Sequence, residues 1–187
     1  MEDFKVQKQI KLDVPRTFAS QQIPQFTNEM DEGTNSLYNV LAAYAKHAPE
    51  VGYCQGMNYL VGLILIGVNF DEVAAFVILE RLLGEYGQLS SMYGGQLTKL
   101  FSLSDHIYTW MLEEEPELEQ LVTNHGVPLT TLLAGPFMAI FANILTIDSC
   151  LLVLDRLILL KEAALIEIVK NVFKRMKQPL LAKFTNP

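Results

Sequence analysis

Two short polar islands interrupt an otherwise apolar chain, and each centres on a side chain suited to handling anionic oxygen or water. The first runs Ile10-Lys11-Leu12-Asp13-Val14-Pro15-Arg16-Thr17-Phe18. Pro15 stops or kinks any helix entering it, which leaves Arg16 as a long cation at a bend. A guanidinium stays charged at every accessible pH and offers a fork of donors that matches two oxygens of a phosphate or carboxylate. The second island runs Val51-Gly52-Tyr53-Cys54-Gln55-Gly56-Met57-Asn58-Tyr59. Its glycines allow unusual backbone angles and the close approach of another backbone around Gln55. A carboxamide can accept from a water with its oxygen while donating with its nitrogen. Taken singly, each island has a plainer meaning. Asp13 and Arg16 also fit a surface ion pair of little energetic weight, and a glycine-flanked Gln at a helix start also fits a simple turn.

Other reactive types form weaker constellations. Cys54 with His47 would make a thiol and a base, but no oxyanion donors or third group accompany them, and cysteine is commonly a small buried hydrophobe. His106 and His125 read as surface or packing residues. The acidic run Glu113-Glu114-Glu115, continued by Glu117 and Glu119 around Pro116, reads as a solvated helix boundary or a face toward a basic partner. Cys54 and Cys150 are the only cysteines and show no CxxC or Cys/His ligand spacing. That pattern excludes a disulfide framework and a structural zinc, and agrees with a reducing compartment.

The elements that must position these residues are helical. Hydrophobic residues make up 50% of the 187 and charged ones 19%, which predicts a thick helical core or a large partner-facing surface. Leu37, Val40, Leu41, Tyr44 and Ala45 recur on one helix face, opened by Asn35 or Ser36 and closed by Pro49. Asp71-Glu72 caps a helix that carries Phe76, Val77, Ile78, Leu82 and Leu83 and ends at Gly84 or Gly87. Leu97, Leu100, Phe101, Ile107, Trp110 and Met111 predict a helix interrupted near residues 102–104, and Pro116 suits the first turn of the next. From Pro128 onward the pattern is nearly continuous helix, with breaks near 143–148 and 160–162. The run 61–68 would pass for a buried strand on composition, but its length favours helix. The expected fold is all-α, a single domain of roughly eight to ten short helices.

The formal charge is −7, and no cluster of Lys and Arg offers a footprint for a phosphate backbone, so nucleic acid is excluded as a partner. No apolar stretch reaches the ~18 residues of a membrane span, and the N-terminus Met1-Glu2-Asp3-Phe4 is not a signal peptide. The expectation is a cytoplasmic protein.

In combination and order, the two islands closely resemble the TBC domain of Rab GTPase-activating proteins. Ile10, Asp13 and Arg16 match the form IxxDxxR, and Tyr53 and Gln55 match YxQ. The segment Tyr38-Asn39-Val40-Leu41-Ala42-Ala43-Tyr44-Ala45, Pro49, and Leu151-Leu152-Val153-Leu154-Asp155-Arg156-Leu157 resemble the family's helices between and after the motifs. The resemblance spans most of the chain, is sharpest at the two motifs, and weakens after about Tyr93. It makes residues 1–187 one TBC domain, with finger motifs in 10–18 and 51–59, a helical C-terminal part over 94–187 and a short or missing N-terminal lead-in.

The resemblance implies that Arg16 is an arginine finger and Gln55 a glutamine finger, both supplied in trans to a Rab-type GTPase in its GTP state. The domain then needs no cofactor of its own, because Mg-GTP is held by the partner, and it visits membranes only through that partner. Asp13 would steer Arg16, or else serve as an N-cap or exposed carboxylate. Thr17 would hydrogen-bond nearby backbone, and Asn58 would brace the Gln55 turn. Phe18, Gly52 and Gly56 belong to the motifs as supporting positions. Tyr53 and Tyr59 are expected to pack against neighbouring helices, and Asp155 to be a buried or helix-end carboxylate, structural or at the partner surface. The alternatives are a non-catalytic GTPase-binding module, a helical adaptor, and a hydrolase using Cys54. Three departures from the family pattern stand out. Ala19 follows the Arg-Thr-Phe triplet where a proline is usual, only nine residues precede Ile10, and Gly135-Pro136-Phe137 replaces a late tryptophan.

Overall fold

A computed structural model describes residues 2–21, 23–28, 31–94 and 96–185. Among them are nine α-helices, a few single-turn 3-10 segments and no strand. The helices are α1 (Glu2–Asp13), α2 (Glu32–His47), α3 (Met57–Gly67), α4 (Glu72–Leu83), α5 (Thr98–Glu114), α6 (Pro116–Asn124), α7 (Leu129–Met138), α8 (Ile147–Leu160) and α9 (Glu162–Thr185).

The ambiguous run after Gln55 is helix α3, the axis of the N-terminal half. Eight of its eleven residues are buried, which is what a helix apolar all round requires. Helix α2 packs on α3 and α4, α1 lies across α2, and α3 reaches over to α8. In the other half α5 is the centre, touching α6, α7 and α9, and α8 runs against α9. One continuous core joins both halves, from Ile10 and Leu37 through Leu60 and Ile64 to Phe137 and Leu157.

Local signals place several helix ends. Asp71 caps α4 by accepting from the N–H groups of Val73 and Ala74, both at 3.0 Å, and Gly84 ends it. Pro116 opens α6. Lys161, with φ +55°, separates α8 from α9 where two abutting helices were expected.

Tertiary contacts override the sequence pattern elsewhere. Helix α2 begins at Glu32, before Asn35, because Gly33 sits where a Cβ would lie 2.6 Å from the Gln25 carbonyl oxygen and Thr34 Oγ1 donates to the Asn28 carbonyl at 2.8 Å. Helix α5 is unbroken through 102–104: Ser104 is buried and returns its hydroxyl to the Leu100 carbonyl at 2.8 Å, so it needs no break. Helix α7 stops at Met138, ahead of the break expected at 143. There the Phe141 N–H bonds the Pro136 carbonyl at 2.7 Å and Ile140 and Phe141 take positive φ, turning the chain. The acidic run meets its own chain: Lys177 of α9 bonds Glu115 at 2.8 Å and Glu117 at 2.7 Å, and Lys174 lies 3.6 Å from Glu114. No helix among the described residues is long and apolar enough to cross a membrane.

Candidate functional site

The Arg16 segment is built by the end of one helix. Helix α1 terminates at Asp13, Pro15 occupies the first turn of the short 3-10 segment Val14–Arg16, and the Thr17 N–H closes it on the Val14 carbonyl at 3.1 Å. Val14 and Phe18 are buried on one side of this turn, and Arg16 leaves on the other with its side chain 53% exposed. Phe18 anchors the segment despite a positive φ of 57°. Its ring meets Phe26 at 5.3 Å and Tyr59 at 5.6 Å edge-on, and it fills the space over Gly62, where an added Cβ would lie 2.5 Å from Phe18 Cε2.

The Gln55 segment is built by the start of another. Gly52 and Gly56 both have positive φ, +62° and +110°, and between them the chain turns so that Gln55 is exposed ahead of α3. A side chain at Gly56 would force its surroundings to move, because a Cβ there would fall 2.7 Å from the Met138 carbonyl oxygen.

A buried carboxylate ties the two segments together. Asp13, fully buried, accepts from the Arg16 guanidinium, from the Tyr53 hydroxyl at 2.7 Å and from the Gln9 carboxamide at 3.3 Å. Charge-assisted bonds of this kind are what make a buried carboxylate tolerable. A second chain of bonds runs beneath it. The Gly56 N–H donates to Asn58 Oδ1 at 3.0 Å, Asn58 Nδ2 to Thr17 Oγ1 at 2.9 Å, and Thr17 Oγ1 to the Asp13 carbonyl at 2.9 Å. Thr17 and Asn58 are both buried, so these bonds run in low dielectric, where they are strong.

Several expectations need correcting. Asp13 caps no helix through its side chain and is not exposed; it closes α1 and holds Arg16. Tyr53 does more than pack, since its hydroxyl donates to Asp13. Burial, followed by that bond, pushes its pKa well above the usual phenol value. Tyr59 packs against Phe18 as expected. Asp155 is neither buried nor at a helix end; it is exposed in α8 with a full turn of helix beyond it. Cys54 is half-buried, and burial plus the Asp13 charge raise its thiol pKa, which leaves little thiolate for a nucleophile. His47 stands edge-on to Phe76 at 5.4 Å. His125 packs on Phe184 at 4.9 Å. Sequence reasoning missed Gln9, Tyr93 and Met138. Gln9 lies one turn before Asp13, a spacing that could have suggested it; the other two touch the site only through tertiary contacts.

The comparisons agree with this architecture. A family model described as the Rab-GTPase-TBC domain matches residues 2–181. The chain is 30% identical over 169 residues to growth hormone-regulated TBC protein 1 of Xenopus tropicalis, covering 90% of this chain and 48% of that protein. It is 33% identical over 168 residues to growth hormone-regulated TBC protein 6 of Caenorhabditis elegans, covering 89% and 48%. It is 29% identical over 149 residues to the Rab GTPase-activating protein eat-17 of the same organism, covering 80% and 16%. The chain thus spans about half or less of the length of these relatives. The crystal structure of a Chlamydomonas flagellar RabGAP TBC domain superposes with a TM-score of 0.76 at 24% identity, over 92% of this chain and 55% of that one, and so shares the fold. The chain belongs to the Rab-GTPase-TBC domain family.

Proposed function

We propose that this domain accelerates GTP hydrolysis by a Rab-type GTPase, inserting Arg16 and Gln55 into the partner's nucleotide site. The observation that carries the reading is Asp13, whose single buried carboxylate takes both Arg16 and Tyr53, two residues before Gln55. An exposed cation and an exposed carboxamide from distant parts of the chain are thereby held on neighbouring, mutually braced segments before any partner arrives.

The chemistry suits both residue types. Hydrolysis moves negative charge toward the leaving oxygen and the transferring phosphoryl group, so the protein's task is positioning and electrostatic stabilisation. Arg16 engages Asp13 through Nη2, and the remaining donors of its fork would take phosphate oxygens. An arginine supplied in trans is worth on the order of a thousandfold or more in rate, roughly 4 kcal/mol of barrier. Gln55 would orient the attacking water. Prior fixation of the Arg16 guanidinium and of the turn that carries Gln55 removes part of the ordering cost from the transition state. In this reading the domain brings no cofactor, the partner supplies Mg-GTP in its GTP-bound state, and membranes are met through that partner.

The test is single-turnover phosphate release from a panel of GTP-loaded Rab proteins, with wild-type, Arg16→Ala and Gln55→Ala domains. Acceleration by the wild type, cut sharply but not to nothing in both variants while binding persists, is the expected result. Binding without acceleration would make the domain a GTPase-binding module instead.

A further inference from the structure

The Gln55 turn also meets residues far along the chain. Gly56 lies flush against the C-terminal end of α7: a Cβ on it would approach the Met138 carbonyl oxygen to 2.7 Å and Met138 Cβ to 2.9 Å. That carbonyl belongs to the last turn of α7, where helix carbonyls lack intrahelical partners. It is satisfied by the hydroxyl of Tyr93, which donates to it at 2.9 Å. Tyr93 is 3% exposed, follows the short 3-10 segment Ser90–Met92, and belongs to the common core.

We infer that Tyr93 and the Met138 carbonyl are positioning residues for Gln55, forming a strut that fixes the height of the turn carrying the carboxamide. This rests on the proposed role of Gln55 and adds the part of the fold that aims it. The bonds from Asn58 and Thr17 hold Gly56 from the α1 side. The α7 end leaves no room for a Cβ on Gly56 and so limits its travel, and the tyrosine bond fixes where that end stands. Without the hydroxyl, the Met138 carbonyl, part-buried at the end of α7, loses its partner. The end of α7 then has reason to shift toward any other donor, and the turn resting on it shifts too. Misplacement of a water-orienting group by a fraction of an ångström to an ångström costs rate far more than affinity.

Tyr93→Phe removes the hydroxyl and keeps the ring. In multiple-turnover assays with a cognate GTPase, kcat should fall roughly tenfold with KM nearly unchanged. The loss should vanish in the Gln55→Ala background, where there is no carboxamide to aim, and persist in full in the Arg16→Ala background. Gly56→Ala, which pushes directly on the same contact, should show the same dependence on background, and thermal melts would establish that both variants fold. Wild-type kcat for folded Tyr93→Phe and Gly56→Ala, alongside a large loss for Gln55→Ala, would overturn the strut and leave the proposed function standing. An equal loss on the Gln55→Ala background would also overturn it, as the mark of a generally structural tyrosine. Full activity of Gln55→Ala would overturn the proposed function, and the strut with it.

Discussion

The Tyr53 hydroxyl donates to the Asp13 carboxylate across 40 positions of sequence, at 2.7 Å, inside the core edge from which Arg16 and Gln55 emerge. Tyr53→Phe leaves this buried carboxylate one donor short, an imbalance that costs about 1–3 kcal/mol. Urea unfolding should register that loss. GTPase activation should also fall, and Asp13→Asn should lower it further, because the Arg16 guanidinium then loses its anionic tether. Unchanged stability in Tyr53→Phe would mean that the bond contributes nothing net.

Arg16→Lys keeps the charge and gives up the planar fork. Most of the acceleration should be lost, while affinity for the GTP-loaded partner changes little, because a contact strongest in the transition state governs rate more than ground-state binding. Single-turnover rates at saturating domain would separate the two effects. Near wild-type acceleration by Arg16→Ala would remove Arg16 from the mechanism.

If Gln55 orients the attacking water, the partner's own glutamine becomes partly dispensable. Ras-like GTPases normally use that residue for the task. A Rab with its glutamine replaced by alanine should still be accelerated substantially by the wild-type domain, and hardly at all by Gln55→Ala. Phosphate release for the four combinations decides the matter. Abolished activation on losing the Rab glutamine, with Gln55→Ala fully active, would reduce Gln55 to a turn residue.

Gly62 leaves room for the Phe18 ring that anchors the arginine segment. Gly62→Ala places a methyl 2.5 Å from that ring and should destabilise by ~1–3 kcal/mol, as overpacking does. Phe18→Ala empties the same space and should cost ~3–5 kcal/mol. Thermal or urea melts check both. Restoration of stability in the Gly62→Ala, Phe18→Leu double variant would locate the strain at this contact.

Burial raises the pKa of Tyr44 to about 12 and drives those of Tyr53 and Tyr93 still higher. Each phenol holds its proton more tightly folded than unfolded. Their contribution is therefore fully present below the ordinary phenol pKa of ~10 and is lost as pH climbs from there toward the folded values. Unfolding free energy should be insensitive to these groups at pH 8–9 and fall above pH ~10, by at most ~1.4 kcal/mol per pH unit for each. Urea titrations from pH 8 to 11 would measure it. The slope should become shallower in Tyr53→Phe and in Tyr93→Phe.

Local signals in the sequence were enough for the class of fold and for the two segments on which the proposed function rests. Helical periodicity, Asp71 and Pro116 at helix starts, and proline and glycine at the two polar islands are local signals, because they act through backbone geometry within a few residues. Tertiary structure decided everything that depends on which side chains meet. Whether Asp13 capped a helix or held Arg16 was open until the fold buried its carboxylate and brought it the Tyr53 hydroxyl from the turn between α2 and α3. Tyr53 looked like packing because a hydroxyl's partner has no sequence signature. Asp155 lost its supposed place at a helix end because α8 runs on through an apolar face to Leu160. The acidic run found its cations on α9 only when that helix folded back, and Tyr93 and Met138 reached the Gln55 turn only through the packing of the two halves. Buried polar groups take their partners from wherever the packed chain brings them, so those assignments belong to the three-dimensional fold.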